Sequence, residues 1–197
     1  MDVGECLATY SAVGRNGRFA NQIFQLAGTI AYALDTDRDY VFPQWEYSKW
    51  MQKELPIGSP ENCILHAVQF HYEDIPTYTG RSVDLYSGHM QSSKYFSNHW
   101  DKIKQYFTLK DEHRFYILDK YGKYLNGNTC SIHVRRTDYT TDLNLDYHGV
   151  MPLSYYYEAI KSIYGVEKPS NVLFIICSDD PKWCMENISL PNSFFVQ

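Results

Sequence analysis

The sequence contains no CxxC pair and no regular cysteine spacing. Its five cysteines, Cys6, Cys63, Cys130, Cys177 and Cys184, are odd in number and far apart. This argues against a disulfide framework and more strongly against a zinc site, and points to a reducing compartment. Positive charge is scarce too. Lys and Arg total 18 against 23 Asp and Glu, a formal net charge of −5, so no basic field is available for duplex nucleic acid or an anionic membrane. No window reaches the roughly 18 to 20 apolar residues of a membrane span, and Arg15 and Arg18 interrupt the first apolar pattern. Neither signal peptide nor anchor is expected, and the expected location is the cytoplasm. Repeats, low-complexity tracts and long charge runs are missing, and the short glycosylation pattern at Asn187 stands alone. What remains is an ordinary globular composition, 44% hydrophobic and 21% charged over 197 residues.

Strand and helix patterns alternate along the chain, which predicts an α/β fold. "CLATYSAV" (6–13) reads as a strand and "GRNGRFANQ" (14–22) as a glycine-bearing turn. Ile23, Leu26, Ala27, Ile30, Ala31 and Leu34 then recur at helical spacing, giving one apolar stripe. "DYVF" (39–42), "CILHAVQF" and "SVDLYSGHM" are further strand candidates, and 97–125 predicts two helices, the second from Asp111. The aromatic, proline-punctuated stretch 43–62 carries no assignable period. From 129 the order is strand, helix, strand, helix, strand: "TCSIHVRR", "PLSYYYEAIKSIY", "NVLFIICS", "DDPKWCMENI", "SFFV". That is how a doubly wound nucleotide-binding domain begins. The uninterrupted run in "NVLFIICS" predicts a parallel strand covered on both faces. The polar "YGKYLNGN" predicts a boundary, dividing the chain into 1–126 and 127–197. The second part falls short of the roughly 100 to 150 residues of a typical domain.

Three places could carry chemistry. The turn at 14–22 puts backbone N–H groups at a helix N-terminus, where an anion can sit; it fits neither GKS/T nor GxGxxG, and from pattern alone an ordinary strand-to-helix turn is the favoured reading. In a parallel sheet, ligands gather beyond the carboxyl ends of strands, where "SIHVRRTDY" delivers Arg135, Arg136 and Asp138. An arginine fork matches phosphate oxygens two at a time, each charge-assisted bond contributing roughly 1.5 to 3 kcal/mol. The competing reading is an internal pair with Asp138 or Asp142. Strand alternation sends the two arginines to opposite faces, so one of them is expected to meet a ligand, and Arg135, sharing a face with His133, is favoured. In "CSDDPKWC", one of Asp179 and Asp180 is expected to cap the following helix, and the other could accept the N1 and N2 donors of a guanine. A magnesium site has little support. His66, His71, His89, His99 and His113 lack ligand spacing and read as structural or surface groups.

Together these segments resemble glycosyltransferase family 11, the α-1,2-fucosyltransferases. "GRFANQIFQLA" is similar to the family's GRLGNQMFQYA-type loop, "GHMQSSKYF" to its GYFQSEKYF-type segment, and "HVRRTDY" to the HVRRGDY-type signature shared with α-1,6-fucosyltransferases. "HGVMPLSYYYEAI" and "FIICSDDPKWC" match two segments that follow in order. The resemblance implies a GT-B type fold of two Rossmann-like lobes, the C-terminal one incomplete. It also implies GDP-fucose as donor, a galactose-type hydroxyl of a glycan as acceptor, inversion at the anomeric carbon, and neither metal nor cofactor. Carried across, Arg135 would hold the β-phosphate, with His133 and Asp180 near the nucleotide; Arg136 and Asp179 are further candidates for binding the nucleotide. Gly17 and Asn21 would shape the donor side, and Asp138 would be the candidate base. Three departures stand out. Ala20 occupies a usual glycine position, where a left-handed backbone would strain it. Thr137 replaces another glycine, and the later ANSTFSWWGA-type segment has no counterpart. A truncated or inactive sugar-nucleotide-binding protein, or an assembly partner, is therefore the alternative expectation, with a partner chain completing the donor lobe.

Overall fold

A computed structural model of the chain describes residues 6–125, 127–141, 146 and 149–196. Two compact units form, Met1–Phe115 and Tyr116–Gln197. The change-over lies inside a helix, whereas the sequence expectation put it just beyond that helix.

In the first unit β1 (Leu7–Thr9) leads through a glycine loop into α1 (Phe19–Asp35), and β2 (Asp39–Tyr40), β3 (Ile64–Leu65) and β4 (Val83–Asp84) complete a sheet ordered β2-β1-β4-β3. All pairs are parallel. The strands are much shorter than their sequence patterns. α1 forms where apolar residues recur without proline, and it is buried more broadly than a stripe: Gln22 and every residue from Gln25 to Ala33 lie inside. Such all-round burial marks a central helix rather than a surface one. Its end is closed by the Thr36 N–H on Tyr32 O at 3.1 Å, followed by Asp37 with φ of 51°. Leu26, Ile30, Phe42, Val83 and Leu85 are buried in the core of this unit.

The 43–62 stretch, without period in the sequence, contributes an aromatic cluster. Trp45 is buried, stacks parallel to Phe19 at 6.0 Å and meets Tyr47 and Phe107 edge-on. Gly28 of α1 makes room for Met90: a Cβ there would lie 2.5 Å from Met90 Cε. Of the two helices expected over 97–125, the first is broken into single turns around α2 (Trp100–Ile103), and the second, α3 (Asp111–Leu125), starts as predicted.

In the second unit β5 (Thr129–Val134), α4 (Leu153–Tyr164), β6 (Leu173–Ser178), α5 (Pro181–Asn187) and β7 (Ser193–Phe195) follow the expected order. The sheet is parallel, ordered β5-β6-β7, with Ile132 opposite Ile176 and Val134 opposite Ser178. Ile132, Val134, Phe174, Ile176, Ile160 and Cys184 form the core. Burial along β6 alternates, Phe174 and Ile176 inside and Leu173, Ile175 and Cys177 half-buried, so the expected cover on both faces is fulfilled on one face only. Pro152 stands just outside α4 as its N-cap, and Gly165, with φ of 76°, ends it by donating to Lys161 O at 2.8 Å. Among the described residues no helix is long and apolar enough to cross a membrane.

Phe174 is wholly buried between the strands and α4, so Phe174→Ala should lower stability by about 3 to 5 kcal/mol. Amide hydrogen exchange at Ile132 and Ile176 reads this out as accelerated exchange in the second unit.

Candidate active site

At the carboxyl ends of β5 and β6 the chain concentrates charge. β5 buries Ile132 and Val134, which leaves His133 exposed and aims Arg135 to the same side. His133 and Arg135 line one hollow of about 290 Å³, with Tyr139, Met151, Tyr155 and Tyr156. The Arg135 guanidinium meets Asp138 fork to fork, Nε to Oδ1 at 3.0 Å and Nη2 to Oδ2 at 2.5 Å. It also lies 4.3 Å from the Tyr139 ring centroid. The hydrogen bond to Asp138, ahead of the opposing effect of burial, pushes the Arg135 pKa above the usual arginine value. Of the two internal partners considered for Arg135, Asp138 is the one engaged, while Asp142 lies outside the described residues.

Arg136 goes the other way, as alternation requires. Its guanidinium stacks 3.8 Å over the Trp183 ring, and its Nε, 3.8 Å from Asp180 Oδ2, has no hydrogen-bond partner among the described residues. Asp180 also caps α5, accepting the Trp183 N–H at 3.1 Å, with Pro181 following in the first turn. Asp179 joins the two strand ends. Its Oδ1 accepts the Arg136 N–H at 2.9 Å and its Oδ2 the Thr137 hydroxyl at 2.7 Å. Burial alone would raise its pKa, but these bonds outweigh it and hold the carboxyl below the usual range. The threonine that departs from the family's glycine thus supplies a hydroxyl that glycine could not.

Gly17 and Asn21 belong to the first unit and touch each other. Gly17 has φ of 76°, and a Cβ there would fall 2.5 Å from Asn21 Cβ. Asn21 Oδ1 accepts the Arg18 N–H at 3.0 Å and so closes the start of α1. Ala20 is helical and absent from the left-handed residues, so the strain anticipated there does not arise; the left-handed turns fall at Gly14 and Gly17. The loop is held by two buried glutamines that sequence reasoning passed over. Gln22 Nε2 donates to Gly17 O at 3.1 Å while its Oε1 accepts Trp45 Nε1 at 2.8 Å, and Gln25 Nε2 donates to Asn16 O at 3.0 Å. Their i, i+3 spacing beside a glycine turn was the available signal. Tyr139 and Trp183, the two rings under the arginines, were missed as well; each lies within one helical turn of a charged pair. Among the described residues no group of three or more His, Cys, Asp or Glu is placed to hold a metal ion.

Parallel α/β units, with charge gathered at the carboxyl ends of β5 and β6, have the architecture of proteins that take a ligand beyond their strand ends. The description "glycosyl transferase family 11" matches residues 5–195, and the chain belongs to that family. It is 31% identical over 113 residues to the O-antigen biosynthesis glycosyltransferase WbnK of Escherichia coli, which covers 55% of this chain and 37% of that protein. Over 189 residues it is 28% identical to human galactoside alpha-(1,2)-fucosyltransferase 1, covering 88% of this chain and 51% of that one. The chain thus spans between about a third and a half of these relatives' length. Among solved structures, the fucosyltransferase NodZ from Bradyrhizobium superposes with a TM-score of 0.59 at 16% identity, over 98% of this chain and 78% of that one. The fold is accordingly of the GT-B type.

A carboxyl held below its ordinary pKa stabilises the fold above the unfolded value of about 3.9 and loses that contribution as pH falls through the folded value. Stability of the second unit should therefore drop below about pH 3.9, and in Asp179→Asn that part of the pH dependence should shrink, as followed by urea unfolding between acid and neutral pH.

Proposed function

We propose that this chain transfers fucose from GDP-fucose to a galactose-type hydroxyl of a glycan, forming an α-1,2 linkage with inversion. The observation that carries the reading is Arg135, placed by β5 beside His133 on an open hollow and pre-set by Asp138. The names of the relatives support it: the human protein is a galactoside alpha-(1,2)-fucosyltransferase, and a NodZ α-1,6-fucosyltransferase structure was soaked with GDP-fucose.

In this reaction the acceptor oxygen attacks the anomeric carbon, the bond from that carbon to the β-phosphate breaks, and GDP leaves with the electron pair. Negative charge grows on the leaving oxygen in the transition state, so a fixed guanidinium there lowers the barrier selectively. Arg135 fills that role, and the charge compensation rests on it rather than on a divalent cation. His133, beside it, lines the phosphate region. Asp179 and Asp180 set the nucleotide end, Asp179 by fixing the strand ends and Asp180 by offering its carboxylate to the base while capping α5. Arg136, stacked on Trp183, completes the donor surroundings. The proton of the acceptor hydroxyl needs a base. Asp138 has both oxygens on Arg135, so it serves as base only after yielding one of those bonds, which donor binding could bring about by drawing the guanidinium to phosphate.

The same internal pair favours a second reading. If the Arg135–Asp138 fork does not open, the chain is a sugar-nucleotide-binding or assembly protein without turnover, completed by a partner chain. Isothermal calorimetry with GDP-fucose, together with fucose transfer to lactose, separates the two. Arg135→Ala should weaken GDP-fucose binding at least tenfold, about 1.4 kcal/mol, and transfer should persist in EDTA. Failure of GDP-fucose to bind the unaltered chain ends the transfer reading, and turnover excludes the second.

A further inference from the structure

The first unit holds a constellation of its own. The parallel sheet sets β1 and β4 side by side, so the loops leaving their carboxyl ends run together, the position at which open α/β sheets take ligands. These two loops are joined by side chains. Tyr10, fully buried, donates its hydroxyl to Gly88 O at 2.6 Å. Asn16 Nδ2 donates to Ser87 O at 2.8 Å and to the Tyr10 hydroxyl at 3.2 Å. Ser11 N–H donates to Asp84 Oδ1 at 2.9 Å. The segment after β4 is also strained: Ser87 and Met90 take left-handed φ of 78° and 51°, and a Cβ on Gly88 would meet Val68 O at 2.6 Å. Strain of this kind persists only where surrounding contacts enforce it, and it gathers where a side chain must be presented in one way.

The side chain presented is His89. Its Nδ1 lies 3.4 Å from Gln25 Nε2. Gln25 is wholly buried, and the same nitrogen donates to Asn16 O. That carbonyl fixes the orientation of the carboxamide, because turning it over would set oxygen against oxygen. The Gln25 Oε1 is buried with no hydrogen-bond partner among the described residues, a cost of about 1 to 3 kcal/mol that the fold accepts to keep the N–H on His89 and Asn16. A ring whose Nδ1 accepts a hydrogen bond carries its proton on Nε2. His89 is half-buried, and among the described residues its Nε2 has no hydrogen-bond partner.

We propose that His89, held in its Nε2–H form by Gln25, is an acceptor-binding residue that donates a hydrogen bond to a sugar hydroxyl oxygen. A neutral, singly directed N–H suits an uncharged hydroxyl, whereas phosphate oxygens are better met by charged forks such as that of Arg135. The inference rests on the glycosyltransfer reading for the identity of the sugar as a galactoside, but not for the geometry.

Long-range proton–nitrogen spectra of the uniformly labelled chain test it directly, with the His89 signals assigned by their loss in His89→Phe. Nδ1 should appear unprotonated and Nε2 protonated. Lactose should shift the Nε2 signal while GDP leaves it in place, and His89→Phe should weaken lactose binding at least tenfold with GDP-fucose affinity unchanged. A Nδ1-protonated ring, a lactose titration that leaves His89 unmoved, or a shift produced by GDP instead overturns the inference. The two readings fail separately. GDP-fucose binding with no lactose response at His89 removes this inference alone, and a lactose response without GDP-fucose binding removes the transfer reading alone.

Discussion

Everything at the charged end of the second unit depends on one carboxylate. Asp179 ends β6, yet its two oxygens grip the residues that follow β5, the Arg136 amide and the Thr137 hydroxyl. Parallel strands are hydrogen-bonded along their length but diverge where their loops begin, and this cross-link holds the divergence to one geometry. With the backbone fixed at Arg136, Arg135 and Arg136 must leave in opposite directions. One meets Asp138 and Tyr139 and the other Trp183 and Asp180. A pair of adjacent arginines thereby becomes two separate devices, one facing a hollow and the other bracing a helix start.

The second unit was the more legible in sequence, and the reason is length. Strands of six residues, such as Thr129–Val134 and Leu173–Ser178, leave a hydrophobic signature that a reader can count, and both were expected close to where they lie. The strands of the first unit are two or three residues long. Their sheet is held less by ladders than by side chains reaching backbone atoms far along the chain, Tyr10 to Gly88 and Asn16 to Ser87. Periodicity cannot reveal such bonds, because each depends on a partner more than seventy residues away.

The candidate site was legible in its charges and obscure in its supports. Alternation along a strand was enough to separate Arg135 from Arg136 and to place His133 with the former. The rings beneath the arginines and the glutamines behind the glycine loop are harder to read: the i, i+3 spacing of Gln22 and Gln25 is shared by many helix positions, and their role emerges only when a neighbour is brought up by the fold. The analogy with a glycine makes Ala20 strained only if its backbone is left-handed, and the backbone has already turned at Gly17 and become helical there.

The missing side chain at Gly28 has a further consequence. Helix α1 and the segment bearing Met90 fit because one contributes nothing where the other contributes a thioether. The two positions are therefore coupled, and their substitutions should be non-additive. A larger residue at 28 displaces Met90 unless 90 shrinks in compensation, and the adjoining histidine would move with it. Variation at this helix position is in that sense variation in the reach of a loop on the other side of the sheet's edge.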